Sequence, residues 1–321
     1  MKATAPLPLQ VAPGAEQAST LDFRAGLWRL ADPKITLASM ASVLLGTCFA
    51  LKDGPLSIGW LAVTVLGIFF IEVAKNASGE IFDFDSGTDL AVGEEDRSPF
   101  SGGKRVLVDG LLTRRQSWAI AATAYLLGAA CGLAIVVFRR WEVVWLGVAG
   151  MALAFFYHAP PFRLSYRGFG EIAVGVTYGP LISIGTYLVQ TGSIRPGIIL
   201  ASIPLGLMIV SFLWVCEFPD YLADRKAGKR NLVVRLGRLR ASRVFAVLAP
   251  VSSLSVLLLP FFGIPWAVAL GAVSVIPAST AAVRVLSNPE FTAQLIPAQV
   301  LTLIAFLALA LGSGGGVLLC R

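Results

Sequence analysis

The feature that most constrains this chain is a succession of apolar runs, near 35–52, 57–80, 117–138, 142–157, 169–190, 196–217, 241–260, 263–284 and 295–318, each bounded by charges, glycines or prolines. About 20 apolar residues carry a helix across a bilayer, and a backbone surrounded by lipid has to satisfy its own hydrogen bonds. The runs therefore predict an all-α polytopic membrane protein of about nine transmembrane helices. A water-soluble fold could not cover so much apolar surface, because 56% of the 321 residues are hydrophobic and only 14% are charged. Residues 20–321 read as a single transmembrane domain. Residues 1–19, rich in Ala, Pro and Gln and without an apolar run, read as a disordered tail that is neither signal nor transit peptide. From Leu21 to Leu30, apolar residues alternate with arginines, a pattern that suits a short helix on the membrane surface or a leader into the first span.

Charge placement gives the topology. With the amino terminus on the cytoplasmic side, twenty of the 26 Lys and Arg fall on that side and five on the other, as the positive-inside rule requires. The net charge of +7 is thus a topological signal and implies no nucleic-acid partner; membrane lipids are the expected surroundings. The four cysteines, Cys48, Cys131, Cys216 and Cys320, stand far apart in apolar surroundings and read as packing residues. A lone histidine, His158, lies beside Pro160 and Pro161 in a loop and reads as structural or at most as the neighbour of a ligand; it excludes a histidine-rich metal site.

Two connections, residues 81–116 and 218–240, are long and polar, and both fall on the cytoplasmic side. Each begins with carboxylates at the end of a span and continues into a Gly-Lys-Arg triplet, Gly103-Lys104-Arg105 and Gly228-Lys229-Arg230, a weak internal echo. The second span ends in Glu72, Lys75, Asn76, Glu80 and Asp83, whose spacing puts the oxygen-bearing groups on one helical face. Charge inside a span costs several kcal/mol (~2.5–3.5 on insertion scales) unless it is paired or faces a cavity, so this face should look into a polar chamber. Asp85 and Asp89 extend the acidic patch. The sixth span ends likewise in Glu217, Asp220 and Asp224. Two carboxylate sets at one depth repel each other unless divalent cations lie between them, and a shell of carboxylates and an amide suits Mg²⁺, whose remaining ligands are waters and phosphate oxygens. The implied ligand is a diphosphate. Lys104, Arg105, Arg163, Arg167, Arg225, Lys229 and Arg230 supply cations for it, although any of them would also serve as a positive-inside residue.

These residues resemble the UbiA superfamily of intramembrane prenyltransferases. Asn76 through Asp89, NASGEIFDFDSGTD, is similar to its first aspartate-rich motif, and Asp220 through Gly237, DYLADRKAGKRNLVVRLG, to its second. Tyr157 through Glu171, YHAPPFRLSYRGFGE, is similar to the loop after the fourth span in the 1,4-dihydroxy-2-naphthoate prenyltransferase branch. The resemblance implies nine helices round a central cavity with a cytoplasmic mouth, in a bacterial inner membrane. It makes Asn76, Glu80, Asp83, Asp220 and Asp224 the metal and diphosphate ligands for two Mg²⁺ ions, with Asp83, Asp220 and Asp224 catalytic. It puts Asp89, Glu217 and Tyr157 in support and Lys104, Arg105, Arg163, Lys229 and Arg230 on the diphosphate. The chain departs from the pattern at Gly79-Glu80, where the motif has Asn-Asp, at Cys216-Glu217, where amides precede the second motif, and at Pro161, where some members carry a lysine.

The implied reaction is Mg²⁺-dependent transfer of a prenyl group from an isoprenoid diphosphate to a hydroxylated aromatic acceptor, in quinone biosynthesis of the menaquinone type. Chlorins, carotenoids or homogentisate are alternative acceptors. Phe155, Phe156, Tyr157, Phe162, Tyr166, Tyr178, Phe212 and Trp214 are available to shield an allylic cation from water. A transporter would also carry intramembrane carboxylates, but near the bilayer midplane and with access from both sides, whereas these cluster at helix ends.

Overall fold

The computed structural model describes residues 20–320, so the tail expected at 1–19 lies outside them. Regular structure among the described residues is helical, apart from one isolated bridge between Ser98 and Ser101. A first helix, α1 (Thr20–Ala31), leads through Asp32 into α2 (Pro33–Asp53); proline at the start of α2 suits a position whose amide would have no intrahelical partner. Then come α3 (Ile58–Asp85), α4 (Arg114–Phe138), α5 (Val143–Phe156), α6 (Gly170–Thr191), α7 (Pro196–Cys216), α8 (Arg238–Phe262), α9 (Trp266–Ser287) and α10 (Thr292–Leu319). Taking α1 and α2 as one run, eight are long and apolar enough to cross a membrane. The other, α5, has 14 residues and is roughly 21 Å long at 1.5 Å per residue; the aromatic segment after it continues the wall.

Each predicted span thus has a helix. The break expected at Arg139-Arg140 is Arg139–Glu142, while the one expected around Phe262 lies a little later, at Gly263–Pro265, with Phe262 still helical. The start of α4 shows local chemistry fixing a boundary: Thr113 Oγ1 accepts the Gln116 amide at 3.2 Å, while Gln116 Oε1 accepts the Thr113 amide at 2.8 Å, a capping box that satisfies otherwise orphaned donors. In α6 a wide turn, Thr177–Leu181, accommodates Pro180.

The helices pack as two groups. One is α3, α4 and α5, the other α7, α8, α9 and α10, and α2 and α6 join them. Leu45, Tyr187, Ile198, Met208, Phe245 and Phe306 are buried in the principal core between them. Helix α1 is amphipathic as expected, with Leu30 fully buried and Trp28 68% exposed. Cys48 and Cys216 are buried packing residues, but Cys320 is exposed at the end of α10 and packs against nothing that would bury it. Where α3 and α7 end, the first polar connection folds over the bundle: Phe100 meets Phe212 edge-on at 5.7 Å and Thr292 Oγ1 donates to Asp96 at 2.9 Å.

Candidate active site

Helix α7 stops at Cys216, and the chain runs through Asp220 into a short helix, Tyr221–Lys226, before reversing at Gly228. Two bonds close the reversal. The Lys229 amide donates to the Asp224 carbonyl at 2.8 Å, and Asn231 Nδ2 donates to Asp224 Oδ2 at 2.7 Å. Asn231 also caps the next short helix, Leu232–Leu236, by accepting the Val234 amide at 2.8 Å. One asparagine therefore starts a helix and aims a carboxylate. The result is that Lys229 Nζ stands 3.5 Å from Asp224 Oδ1 and 3.9 Å from Asp83 Oδ2, so a single ammonium spans the two acidic motifs.

Asp83, at the end of α3, is held from its other side by the segment between α5 and α6. Tyr166 Oη donates to Asp83 Oδ1 at 2.6 Å and lies 2.6 Å from Ser86 Oγ. The Arg163 guanidinium lies 4.0 Å over the Tyr166 ring. Arg163 has φ +44°, a left-handed conformation that costs about 1–2 kcal/mol for a residue with a Cβ; it is retained where it aims a cation into the site. This segment is clasped to the second motif, since the Arg230 amide donates to the Tyr166 carbonyl at 3.0 Å and the Leu232 amide to Glu171 Oε1 at 2.6 Å.

His158, read from sequence as structural or at most as the neighbour of a ligand, lies beside Asp83, as the second of those readings allows. Its Nε2 is 3.5 Å from Asp83 Oδ2, and burial pulls its pKa down to about 4, so the ring is neutral near pH 7 and the contact is not an ion pair. Gly79 makes room for it: a Cβ there would lie 2.6 Å from His158 Nδ1. Any larger residue at position 79 would collide with the His158 ring as it stands. Asn231 and Glu171 are participants that the sequence did not single out for the site, and Tyr166, expected only as an aromatic shield, also bonds Asp83 through its hydroxyl; all three lie inside the segments that the motifs mark.

The helical face expected to look into one chamber fans out instead. Ser39 Oγ and Tyr178 Oη, the latter at 3.1 Å, donate to Glu72 Oε1. Asn76 Nδ2 donates to the Leu30 carbonyl at 2.8 Å, which leaves its own carbonyl oxygen for a ligand. Glu80 Oε1 accepts the Leu107 amide at 3.2 Å, and only Asp83 reaches Lys229. The reason is geometric, because four residues overshoot a helical turn by roughly 40°, and unsatisfied backbone groups wait in the neighbouring segments. The cations divide similarly. Lys104 is drawn to buried Asp32, and Arg105 donates to the Asp89 carbonyl at 2.9 Å and pairs with Asp109 at 3.4 Å. The side chains of Arg167, Arg225 and Arg230 are exposed. Among the expected aromatic shields, Tyr157 and Tyr166 line the site, whereas Trp214 donates to the Ala241 carbonyl at 3.2 Å and is core packing.

Burial and mutual repulsion set the charge of the site's carboxyl groups. Burial, reinforced by the charges of Asp83 and Glu80, pushes Asp89 up to about 9; burial and Asp224 push Asp220 up to about 7; burial and Asp83, against Lys229, leave Asp224 at about 6. Glu217 is raised by burial and by Glu171. Burial opposes the Lys229 charge, but Asp224 and Asp83 outweigh it and hold the ammonium protonated. Asp89 Oδ2, Asp220 Oδ1, Asp224 Oδ1 and Glu217 Oε2 are buried without hydrogen-bond partners. Such a donor set fits Mg²⁺. No three Asp, Glu, His or Cys side chains among the described residues converge closely enough to hold a metal by themselves, so the fit is to an ion that completes its shell with water and phosphate oxygens.

The model of the UbiA prenyltransferase family matches residues 39–296. A 1,4-dihydroxy-2-naphthoate octaprenyltransferase from Mycobacterium tuberculosis is 28% identical over 288 residues, which cover 89% of this chain and 94% of that one. The enzyme of the same name from Bacillus subtilis is 26% identical over 220 residues, 68% of each chain. In fold, the chain is similar to a UbiA homolog from Archaeoglobus fulgidus bound to GPP and Mg²⁺, with TM-score 0.63 and 16% identity over 91% of this chain and 99% of that one. A family match across most of the length, on a helical bundle of the same fold, places this chain in the UbiA prenyltransferase family as an integral membrane prenyltransferase.

Proposed function

We propose that this enzyme transfers a prenyl group from an isoprenoid diphosphate to a hydroxylated aromatic acceptor of the naphthoate kind, in quinone biosynthesis of the menaquinone type. We also propose that it works in the bacterial inner membrane with its mouth facing the cytoplasm. The observation that carries the chemistry is the Lys229 ammonium held between Asp83 and Asp224. Two acidic motifs far apart in the chain and a cation meet there, as capture of a diphosphate requires. The positive-inside distribution supports the orientation, and the naphthoate enzymes among the relatives support the acceptor class.

Asp83, Asp220 and Asp224, with Asn76, the second oxygen of Glu80, and Asp89 nearby, are the groups that would hold Mg²⁺ against the diphosphate. Bound there, the metal supplies Lewis-acid neutralisation of the leaving group's charge. Lys229 and Arg163 bind the remaining diphosphate oxygens and stabilise the negative charge that grows as the allylic C–O bond breaks. Tyr166 orients Asp83 through its hydroxyl and keeps Arg163 over the site. Tyr157, with Phe155 and Phe156, walls the allylic cation from water until a ring carbon of the acceptor attacks it. Departure of a proton or carboxyl group then restores the aromatic ring.

A membrane assay with several prenyl diphosphates and a panel of acceptors tests this reading. Asp83→Ala and Asp224→Ala should each lower turnover by orders of magnitude in folded protein. Full activity in both variants would remove the metal assignment, and a parent inactive toward every aromatic acceptor would remove the acceptor class.

A further inference from the structure

Beneath the carboxylate site, α3, α4, α5 and α6 line a partly open cavity of about 490 Å³, within the ~300–1,000 Å³ of small-molecule pockets. Its walls are overwhelmingly aliphatic, with Ile71, Leu146 and Leu181 typical, but Glu72, Lys75, Tyr157 and Tyr178 also line it. Lys75 has no role in the diphosphate site. Its Nζ lies 5.5 Å from the Tyr157 ring centroid, and among the described residues it donates no hydrogen bond and has no carboxylate within 4 Å.

Glu72 is three residues away on the same helix, a spacing at which opposite charges ordinarily meet. Here they do not. Ser39 and Tyr178 occupy Glu72 Oε1, while Oε2 is buried and without a partner. Two side chains lining one apolar cavity thus carry an ammonium whose partner is a ring face alone and a carboxylate with one unpaired oxygen, an arrangement that costs several kcal/mol unless a ligand completes it. A prenyl chain is hydrocarbon throughout and would complete neither group. An aromatic ring carrying a carboxylate beside a hydroxyl would complete both.

The cavity also lies in the right place for the second substrate. Tyr157 lines it and meets His158 ring to ring at 4.7 Å, and His158 touches Asp83, so the polar residues of the cavity adjoin the position where the donor loses its diphosphate. We propose that Lys75 is the acceptor-recognition residue: its ammonium pairs with the carboxylate of a hydroxylated aromatic acid bound in this cavity, and the free oxygen of Glu72 accepts a hydrogen bond from the neighbouring ring hydroxyl. The inference deepens the proposed function and rests on it.

The test uses the full-length protein in lipid nanodiscs, without prenyl donor, and two probes that differ by a carboxylate, 1-hydroxy-2-naphthoate and 1-naphthol. The parent should bind the acid at least tenfold more tightly, Lys75→Gln should bring the two within about threefold, and Lys75→Arg should keep most of the preference. In turnover, Lys75→Gln should raise KM for an acidic acceptor at least tenfold and leave KM for the prenyl diphosphate unchanged. Equal binding of the two probes by the parent overturns the proposal even if Lys75→Gln fails to fold. A preference that survives Lys75→Gln, or a loss that falls on the donor's KM, overturns it as well. A parent that shows the preference but transfers a prenyl group to no aromatic acceptor would instead count against the proposed function.

Discussion

The two Gly-Lys-Arg triplets look alike in sequence and are used differently. In the second, Lys229 is placed between Asp224 and Asp83, because the reversal at Gly228 and the Asn231 side chain bring the triplet back over the short helix that carries Asp224. In the first, Lys104 leaves the carboxylate site to neutralise buried Asp32, while Gly103 presses against Asp89. The lesson is that position relative to a partner, and not the motif, decides whether a basic residue serves the ligand or the wall.

The comparison breaks most sharply at the lysines. Lys229→Met should reduce turnover by roughly two to three orders of magnitude, the effect of deleting one preorganised group that stabilises developing charge, measured as kcat with saturating diphosphate. Asn231→Ala comes next, with about tenfold lower kcat and about 1 kcal/mol lower stability from the lost helix cap; thermal melting and turnover on one preparation separate the two. If Asn231→Ala leaves kcat unchanged, aiming of Asp224 by Asn231 is excluded.

The glycines sharpen the contrast. Gly103 has φ +74° and Gly228 has φ +76°, so alanine is strained by about 1–2 kcal/mol at either site. A Cβ at Gly103, however, would lie 2.3 Å from Asp89 Oδ1, whereas nothing lies within 4 Å of one at Gly228. Gly103→Ala should therefore lower the melting temperature more and displace Asp89, while Gly228→Ala should show the backbone strain alone. Lys104→Met should have the smallest effect on catalysis, less than about tenfold in kcat, since its main consequence is a buried acceptor on Asp32 left unpaired, worth about 1–3 kcal/mol of stability. A loss of turnover from Lys104→Met as large as that from Lys229→Met would erase the distinction between the two loops.

Much of the fold was legible because spans are set by runs of local sequence; each predicted run has its helix, with the short break near Phe262 shifted by a few residues. The site was half legible. Carboxylates gathered at helix ends announce themselves by their cost in a membrane, and two of those the sequence marked, Asp83 and Asp224, share the Lys229 ammonium. His158 was read no further than as a ligand's neighbour, because a histidine next to two prolines carries no local sign of the Gly79 gap that admits it. Glu72, Asn76, Glu80 and Asp83 shared a helical face in one dimension, and the backbone groups that draw three of them elsewhere belong to other segments.

By itself, the sequence determined how many apolar helices there are and, to within a few residues, where they begin and end, because length, hydropathy and capping act over a few turns. Only the tertiary structure decided that Lys229 joins Asp83 to Asp224, that Arg163 lies over Tyr166, and that Lys75 and Glu72 open onto one cavity without meeting. Those outcomes depend on contacts between residues distant along the chain, and no local pattern states which partner a buried charge will find.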